Sequence, residues 1–259
     1  MLFKEKEYSL VLSGGGALGI SQLAIISELE KRNELPNEII GTSIGGIIGA
    51  CVSIGLKEEK IFSLFENFSN ILNWMRFSFN GNSIITNDKI KKILKNIFKE
   101  MKMKDTIIPL KLISTELLTG NIKVFDENDD VLIVDAILAT MAIPGVFQEQ
   151  EINNIIYVDG FLSENLGILE STNKNILAID VLGANSFQNF LPEGNFFKTT
   201  NVLSMFEKSM RLLIYNQTRT NIKLLKDKEL KLIDIDTKYY KTFQFHKVKE
   251  IKELGVNLI

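Results

Sequence analysis

Two glycine-bound turns and one aspartate in this chain carry groups that could do covalent chemistry. Gly41-Thr42-Ser43-Ile44-Gly45 has G-x-S-x-G spacing, in which glycines flank a serine because a strand-to-helix turn is too tight there for side chains. Such a turn projects the Ser43 hydroxyl outwards, and the helix that follows aims its first amides, beginning with Ile44, at the same place. Gly14-Gly15-Gly16-Ala17-Leu18-Gly19 sets bare backbone amides ahead of another helix, where they can donate to an anion. A nucleophile beside free amides is what acyl transfer requires, each oxyanion donor being typically worth about a hundredfold or more in rate. Gly14, Gly16 and Gly19 also satisfy the G-x-G-x-x-G dinucleotide fingerprint. That reading expects an acidic residue about 20 positions on, at the end of the next strand, where this sequence has the serine turn.

A serine nucleophile needs a base, and two candidates present themselves. Asp159 in Tyr157-Val158-Asp159-Gly160 follows a strand pattern and precedes a glycine that lets substrate or another backbone come close. With a reference pKa of about 3.9 it is a feeble base until desolvation strengthens it. Its blander reading is a turn aspartate bonded to its own backbone. His246 is the only histidine, and the order Ser43, Asp159, His246 matches that of α/β-hydrolases. It sits, however, in the polar, Lys-rich segment FQFHKVKEIKEL, which reads as surface. Asp159 is the preferred base. No His-rich or Cys-rich cluster suggests a metal, and the chemistry calls for no organic cofactor.

The elements that must position these groups follow from hydrophobic pattern. Tyr8 to Ser13 reads as a strand, the glycine turn and a helix to about Lys31 follow, and Ile39-Ile40, the serine turn and an apolar stretch to Gly55 repeat the pattern. A parallel pair is implied. Residues 57 to 100 read as helical, with Phe62, Phe65, Phe68, Ile71 and Leu72 at helical spacing and a break at Gly81-Asn82. Strands are expected at Leu110 to Ser114, Ile122 to Phe125, Ile155 to Val158, Ile176 to Val181 and Leu230 to Ile235. Further helices are expected at Val134 to Met141, stopped by Ile143-Pro144-Gly145, at Val202 to Lys226, and as a short one at the end; Gly183 to Thr199 reads as an irregular loop.

The length of 259 residues suits one domain spanning 1–259. With 45% hydrophobic and 24% charged residues, the chain has core enough to fold and is not disordered. Its 30 Lys and Arg nearly cancel its 32 Asp and Glu, so no bulk positive field exists and nucleic-acid binding is not expected. Lys89, Lys91 and Lys92 alternate with helix-spaced Ile90, Ile93 and Leu94, a solvated helix face. A lone Cys51 and the charged opening MLFKEKEYSL point to a cytoplasmic protein without a signal peptide, with export by another route left open. Ile39 to Leu56 runs 18 residues without a charge, but five glycines interrupt it, and a buried strand followed by a buried helix is the better reading than a membrane span. Trp74-Met75-Arg76-Phe77-Ser78-Phe79 reads as buried core or as a lid that touches a bilayer.

Taken together these stretches resemble the patatin-like phospholipases. SGGGALG resembles that family's oxyanion loop, GTSIG its elbow, Asp159-Gly160 the start of its aspartate motif, and STELLTGNIKVF and LATMAIPGVF its central strands and Ala-Ile-Pro-Gly turn; Asn165 falls where the aspartate motif continues. The match spans roughly 8–181. The resemblance implies an α/β fold, a three-layer α/β/α sandwich with a mainly parallel central sheet. It also implies a Ser43–Asp159 dyad without histidine, an oxyanion site drawn from Gly14, Gly15, Gly16 and Ile44, and a phospholipid or other acyl-lipid substrate met in transient contact with a membrane surface. Two departures stand out: Leu18 where the family usually has Arg or Lys, and Phe161 where it has a small residue. They motivate the alternative of a catalytically silent relative that binds lipid or a protein partner. A histidine-dependent esterase through His246 is a third reading. Oligomeric state is not legible in the sequence.

Overall fold

The computed structural model describes residues 2–3, 7–73, 87–188 and 199–259. Among the described residues eight strands form one mixed sheet: β1 Ser9–Leu12, β2 Glu38–Thr42, β3 Leu110–Glu116, β4 Ile122–Phe125, β5 Gln150–Ile152, β6 Ile155–Asp159, β7 Asn175–Asp180 and β8 Glu229–Asp234. Their order is β5-β6-β3-β2-β1-β7-β8, with β4 also on β3. The contiguous run β3-β2-β1-β7-β8 is parallel, while β4, β5 and β6 join through antiparallel pairings. The helices are α1 Gln22–Arg32, α2 Ile44–Ser53, α3 Glu58–Asn73, α4 Asn87–Phe98, α5 Ile133–Thr140, α6 Thr199–Leu224 and α7 Val248–Glu253.

The central strands are buried at nearly every position because both faces of the sheet are covered. Successive side chains divide between two cores. Leu10, Leu12, Ile39, Leu112, Leu177 and Ile179 join the larger one with residues of α1, α2 and α5. Val11, Ile40, Ile113, Ile176 and Ala178 face the smaller one, closed by Leu166, Ile168 and the C-terminal part of α6 through Ile222. The three layers are therefore unequal.

At the N-terminal ends of the strands, buried Glu38 ties the sheet together. Its carboxylate accepts from Ser9 Oγ, Thr172 N (3.0 Å), Thr172 Oγ1 (2.8 Å) and Lys111 Nζ (2.9 Å). Burial alone would raise its pKa, but these donors outweigh it and hold the carboxyl below its ordinary value.

At the other end, β3 has two partners on a single edge. Leu112 and Ile113 pair with both β2 and β4, so those strands flank β3 on opposite sides. Ser114 and Thr115 pair with both β4 and β6. Hence β2 and β6 share one edge of β3, end to end and running towards each other. Thr42 lies opposite Ile113 and Asp159 opposite Ser114, so the last residue of each strand meets the other. Helix α2 begins at this junction, and the long apolar stretch Ile39 to Leu56 resolves into strand, turn and helix. No helix among the described residues is long and apolar enough to cross a membrane.

Most elements lie where the pattern placed them. Strand β5 was not anticipated, because three residues with two polar members carry no alternation. Its signal is the Asn153-Asn154 turn, with φ of 53° and 65°, suited to a two-residue hairpin. Residues 189–198 of the expected loop, the Trp74 to Phe79 cluster and the Gly81-Asn82 break lie outside the described residues.

A Cβ on Gly160 would lie 2.3 Å from the carbonyl oxygen of Ile113 and 2.9 Å from Thr42 Cγ2, so Gly160→Ala must push the two strand ends apart. We expect a loss of stability of about 1–3 kcal/mol or more by urea unfolding.

Candidate active site

Ser43 stands between β2 and α2 with φ 54° and ψ −123°, a conformation unfavourable for a residue with a side chain and found where the surroundings impose it. Its amide donates to Thr140 Oγ1 at 2.9 Å, and that hydroxyl donates in turn to the Ile113 carbonyl. A Cβ on Gly45 would fall 2.4 Å from the Leu12 carbonyl oxygen. The second glycine of G-x-S-x-G is thus required by contact with β1, and α2 lies directly over that strand's end.

The glycine loop runs beside this turn. A Cβ on Gly14 would be 3.2 Å from Ser43 Cβ. The Gly14 amide donates to the Asn165 carbonyl at 3.3 Å and the Ala17 amide to the Thr242 carbonyl at 2.8 Å. Gly16 has φ 57° and presses against Thr242, where a Cβ would come within 2.4 Å of the carbonyl oxygen. Among the described residues no protein acceptor takes the amides of Gly15, Gly16 or Ile44. Of the expected oxyanion residues, Gly14 therefore shapes the space beside Ser43 while its own amide is occupied. Leu18 is fully buried in the larger core, so the loop is held by packing at the position where the resemblance led to the expectation of a cation.

Asp159 ends β6 wholly buried. Its backbone is fixed on both sides, the amide donating to Ala142 O (3.0 Å) and the carbonyl accepting from Thr115 Oγ1 (3.1 Å). The Phe161 amide donates to Oδ1 at 3.0 Å, while the half-buried Phe161 side chain packs against the larger core. Oδ2 is buried and, among the described residues, meets no donor at hydrogen-bonding geometry. Burial pushes the carboxyl up to about 7, and the nearby Ser43 hydroxyl and the Phe161 amide pull against that rise without cancelling it. A carboxyl so placed can exchange a proton near neutrality, which an ordinary aspartate cannot do.

From Ser43 an apolar cavity of about 60 Å³ extends along α2, past Ile44, Ile47 and Cys51, with walls from Phe65, Leu94 and Phe147. Burial drives the Cys51 thiol up to about 12, so it lines this cavity as a neutral, apolar group. Phe243 and Phe245 also line it. His246 does not: its side chain is exposed while Phe245 turns inward, and the only histidine stays outside the wall.

Three contributors were not foreseen. Thr140 is a buried hydroxyl in a helix that, apart from Asp135 in its first turn, is otherwise apolar, and that incongruity was its signal. Gln217 on α6 accepts the Asn165 amide (2.9 Å) and donates to Ser163 O (2.6 Å), clamping the turn after Asp159. Thr242 holds the glycine loop. The last two act across long sequence separations and carry no local signal.

A family model described as patatin-like phospholipase matches residues 10–171. An uncharacterized NTE family protein of Mycobacterium tuberculosis is 27% identical over 159 residues, covering 61% of this chain and 43% of the relative. The lysophospholipase NTE1 of Candida glabrata is 25% identical over 269 residues, 96% of this chain and 15% of the relative. Triacylglycerol lipase 4 of Saccharomyces cerevisiae is 28% identical over 166 residues, 54% of this chain and 18% of that protein. The chain thus spans less than half the length of these curated relatives. Among solved structures, VipD from Legionella pneumophila aligns with a TM-score of 0.50 at 12% identity, over 97% of this chain and 67% of that one, a likeness of fold.

Thr140→Val keeps the shape of the side chain but leaves the Ser43 amide without its buried acceptor. We expect a loss of about 1–3 kcal/mol in chemical denaturation, with α5 still folded by circular dichroism.

Proposed function

This chain belongs to the patatin-like phospholipase family, and from that premise we propose that it is a serine acyl hydrolase of the lipase or phospholipase A type, acting through Ser43 and Asp159. The observation that carries the reading is the strained Ser43 beside a buried carboxyl with its pKa near 7, next to unengaged amides of Gly15, Gly16 and Ile44. Ser43 Oγ attacks the ester carbonyl while its proton passes to Asp159. The carbonyl oxygen gathers negative charge and is held by the three amides. Collapse of the tetrahedral intermediate breaks the ester bond, Asp159 returns the proton to the departing alcohol oxygen, and an acyl-serine remains. Water then attacks the acyl-serine, losing a proton to Asp159; as the acyl–Oγ bond breaks, Asp159 returns that proton to Ser43 Oγ, and the fatty acid leaves with the dyad restored.

Fatty acyl esters of phospholipids or related lipids are the substrate class supported by the apolar cavity that starts at Ser43. The names lysophospholipase and triacylglycerol lipase among the relatives support the same class. Exposed Leu117, Leu118 and Leu162 stand just beyond β3 and Asp159, suited to transient contact with a membrane surface.

The first test is fatty-acid release from mixed glycerophospholipid vesicles by the protein and its Ser43→Ala variant. We expect release that falls by about a thousandfold or more in the variant; equal vesicle binding by both proteins with no release from either would favour the silent lipid binder instead.

Asp159 must be ionised to accept the proton, so kcat/KM should rise with pH through an apparent pKa of about 7. A flat profile between pH 6 and 8 would contradict the dyad. His246→Ala should leave turnover unchanged, whereas a histidine-dependent esterase would lose it.

The same burial has a cost for stability. Because the folded pKa lies above the unfolded one, the protonated form favours folding, and that contribution fades as pH rises from about 4 through about 7. Asp159→Asn should therefore abolish turnover yet raise stability at pH 8, by up to about 4 kcal/mol, measured by urea unfolding.

A further inference from the structure

A second cavity, of about 220 Å³, lies between α6, the turn at Ser186-Phe187 and residues 238–241. Its lining carries four cationic side chains, Lys208, Arg211, Lys238 and Lys241, against one carboxylate, Glu207. With Asp236 paired to Lys238, the cations of this group still outnumber its carboxylates four to two among the described residues, in a chain whose net charge is −2. The cations come from two separate elements and differ in build. Arg211 is only 5% exposed and is fixed by Ser186 O (2.8 Å), Glu207 Oε1 (2.7 Å) and Tyr240 O (2.7 Å). Those contacts use three of its five N–H donors. Lys238 pairs with Asp236 at 2.6 Å and Lys241 reaches Ser204 Oγ at 3.2 Å, bonds at exposed or half-exposed positions that cost little to exchange. A rigid guanidinium at the back and ammonium groups from two elements at the rim suit a compact, multiply charged anion approached from several sides.

The cavity is also joined to the candidate active site. Glu207 Oε1, which takes Arg211, accepts from the amide (2.8 Å) and hydroxyl (2.9 Å) of Thr242 as well. Thr242 in turn holds Ala17 and presses on Gly16. Within one short segment, Tyr239, Tyr240 and Lys241 line this cavity while Phe243 and Phe245 line the apolar one.

We propose that the cavity binds a phosphate group, free or on a lipid headgroup, and that its occupancy changes turnover at Ser43 through Thr242 and the glycine loop. The coupling rests on the hydrolase reading; the binding does not. The test uses the whole protein, its Ser43→Ala variant and a Lys208→Gln, Lys241→Gln double variant, none of whose changes touches the buried Arg211. Thermal unfolding is followed with inorganic phosphate or glycerol phosphate against sodium chloride at matched ionic strength. Hydrolysis of a neutral p-nitrophenyl ester is followed in the same buffers and with phosphatidic acid or phosphatidylcholine vesicles.

At about a hundredfold excess over Kd we expect Tm to rise by roughly 5 °C or more in the first two proteins and not in the double variant. Ester turnover in the unaltered protein should change by at least about twofold. A response to soluble phosphate identifies a free ligand; a response confined to phosphatidic acid vesicles identifies a headgroup. No response to either source overturns the proposal, as does a response that persists in the double variant or one that leaves measurable turnover unchanged. A Tm shift in a protein without esterase turnover would refute the hydrolase reading and leave the phosphate site standing.

Discussion

The site depends on one constraint, the meeting of β2 and β6 end to end along a single edge of β3. A parallel α/β sheet presents strand ends to the crevice where ligands bind, but adjacent parallel strands set those ends side by side. Here an antiparallel strand fills the rest of the edge and points its last residue back at the elbow. Ser43 and Asp159 thus come from opposite directions to one point, with the carbonyl of Ile113 touching both arms through Thr140 and the close approach at Gly160. Neither residue needs a flexible loop to reach the other.

That geometry asks each proposed catalytic residue to occupy a state it would not choose alone. Ser43 holds a positive φ, a strain of order 1–3 kcal/mol, and Asp159 gives up hydration with one carboxylate oxygen unpartnered. Both penalties are met by ordinary packing elsewhere: β1, β2 and β7 are buried along their whole length, and the Glu38 network anchors the opposite end of the same strands. The orphaned oxygen is also consistent with a base kept ready, since a carboxylate fully bonded to donors would have its pKa driven down rather than up.

Local rules explain what was legible in the sequence. The serine elbow, the glycine loop and Asp159-Gly160 could be found because each is a backbone conformation that restricts residue type at fixed spacing. The parallel strands could be found because burial on both faces leaves continuous apolar runs. Gly14 was legible as part of the loop but not in its role, since the bond from its amide to Asn165 spans 151 positions. Leu18 looked like a missing cation and is a buried core residue, a distinction that requires knowing which way the turn faces. Strand β5 escaped because its pairing, not its composition, makes it a strand.

The family model ends at residue 171, yet the site is not physically complete there. Gln217 on α6 fixes the turn after Asp159, Thr242 carries the glycine loop, and Phe243 and Phe245 close the apolar cavity. The residues proposed to react lie before 171 and those that hold them lie partly after it. This division follows from what each must do. A reacting group is restricted by chemistry to one residue type, whereas a clamp on a backbone amide or a wall of a cavity can be built from many side chains approaching from any element. The segment after 171 thus supplies clamps and part of the cavity wall, while the junction of β2 and β6 is built wholly before it.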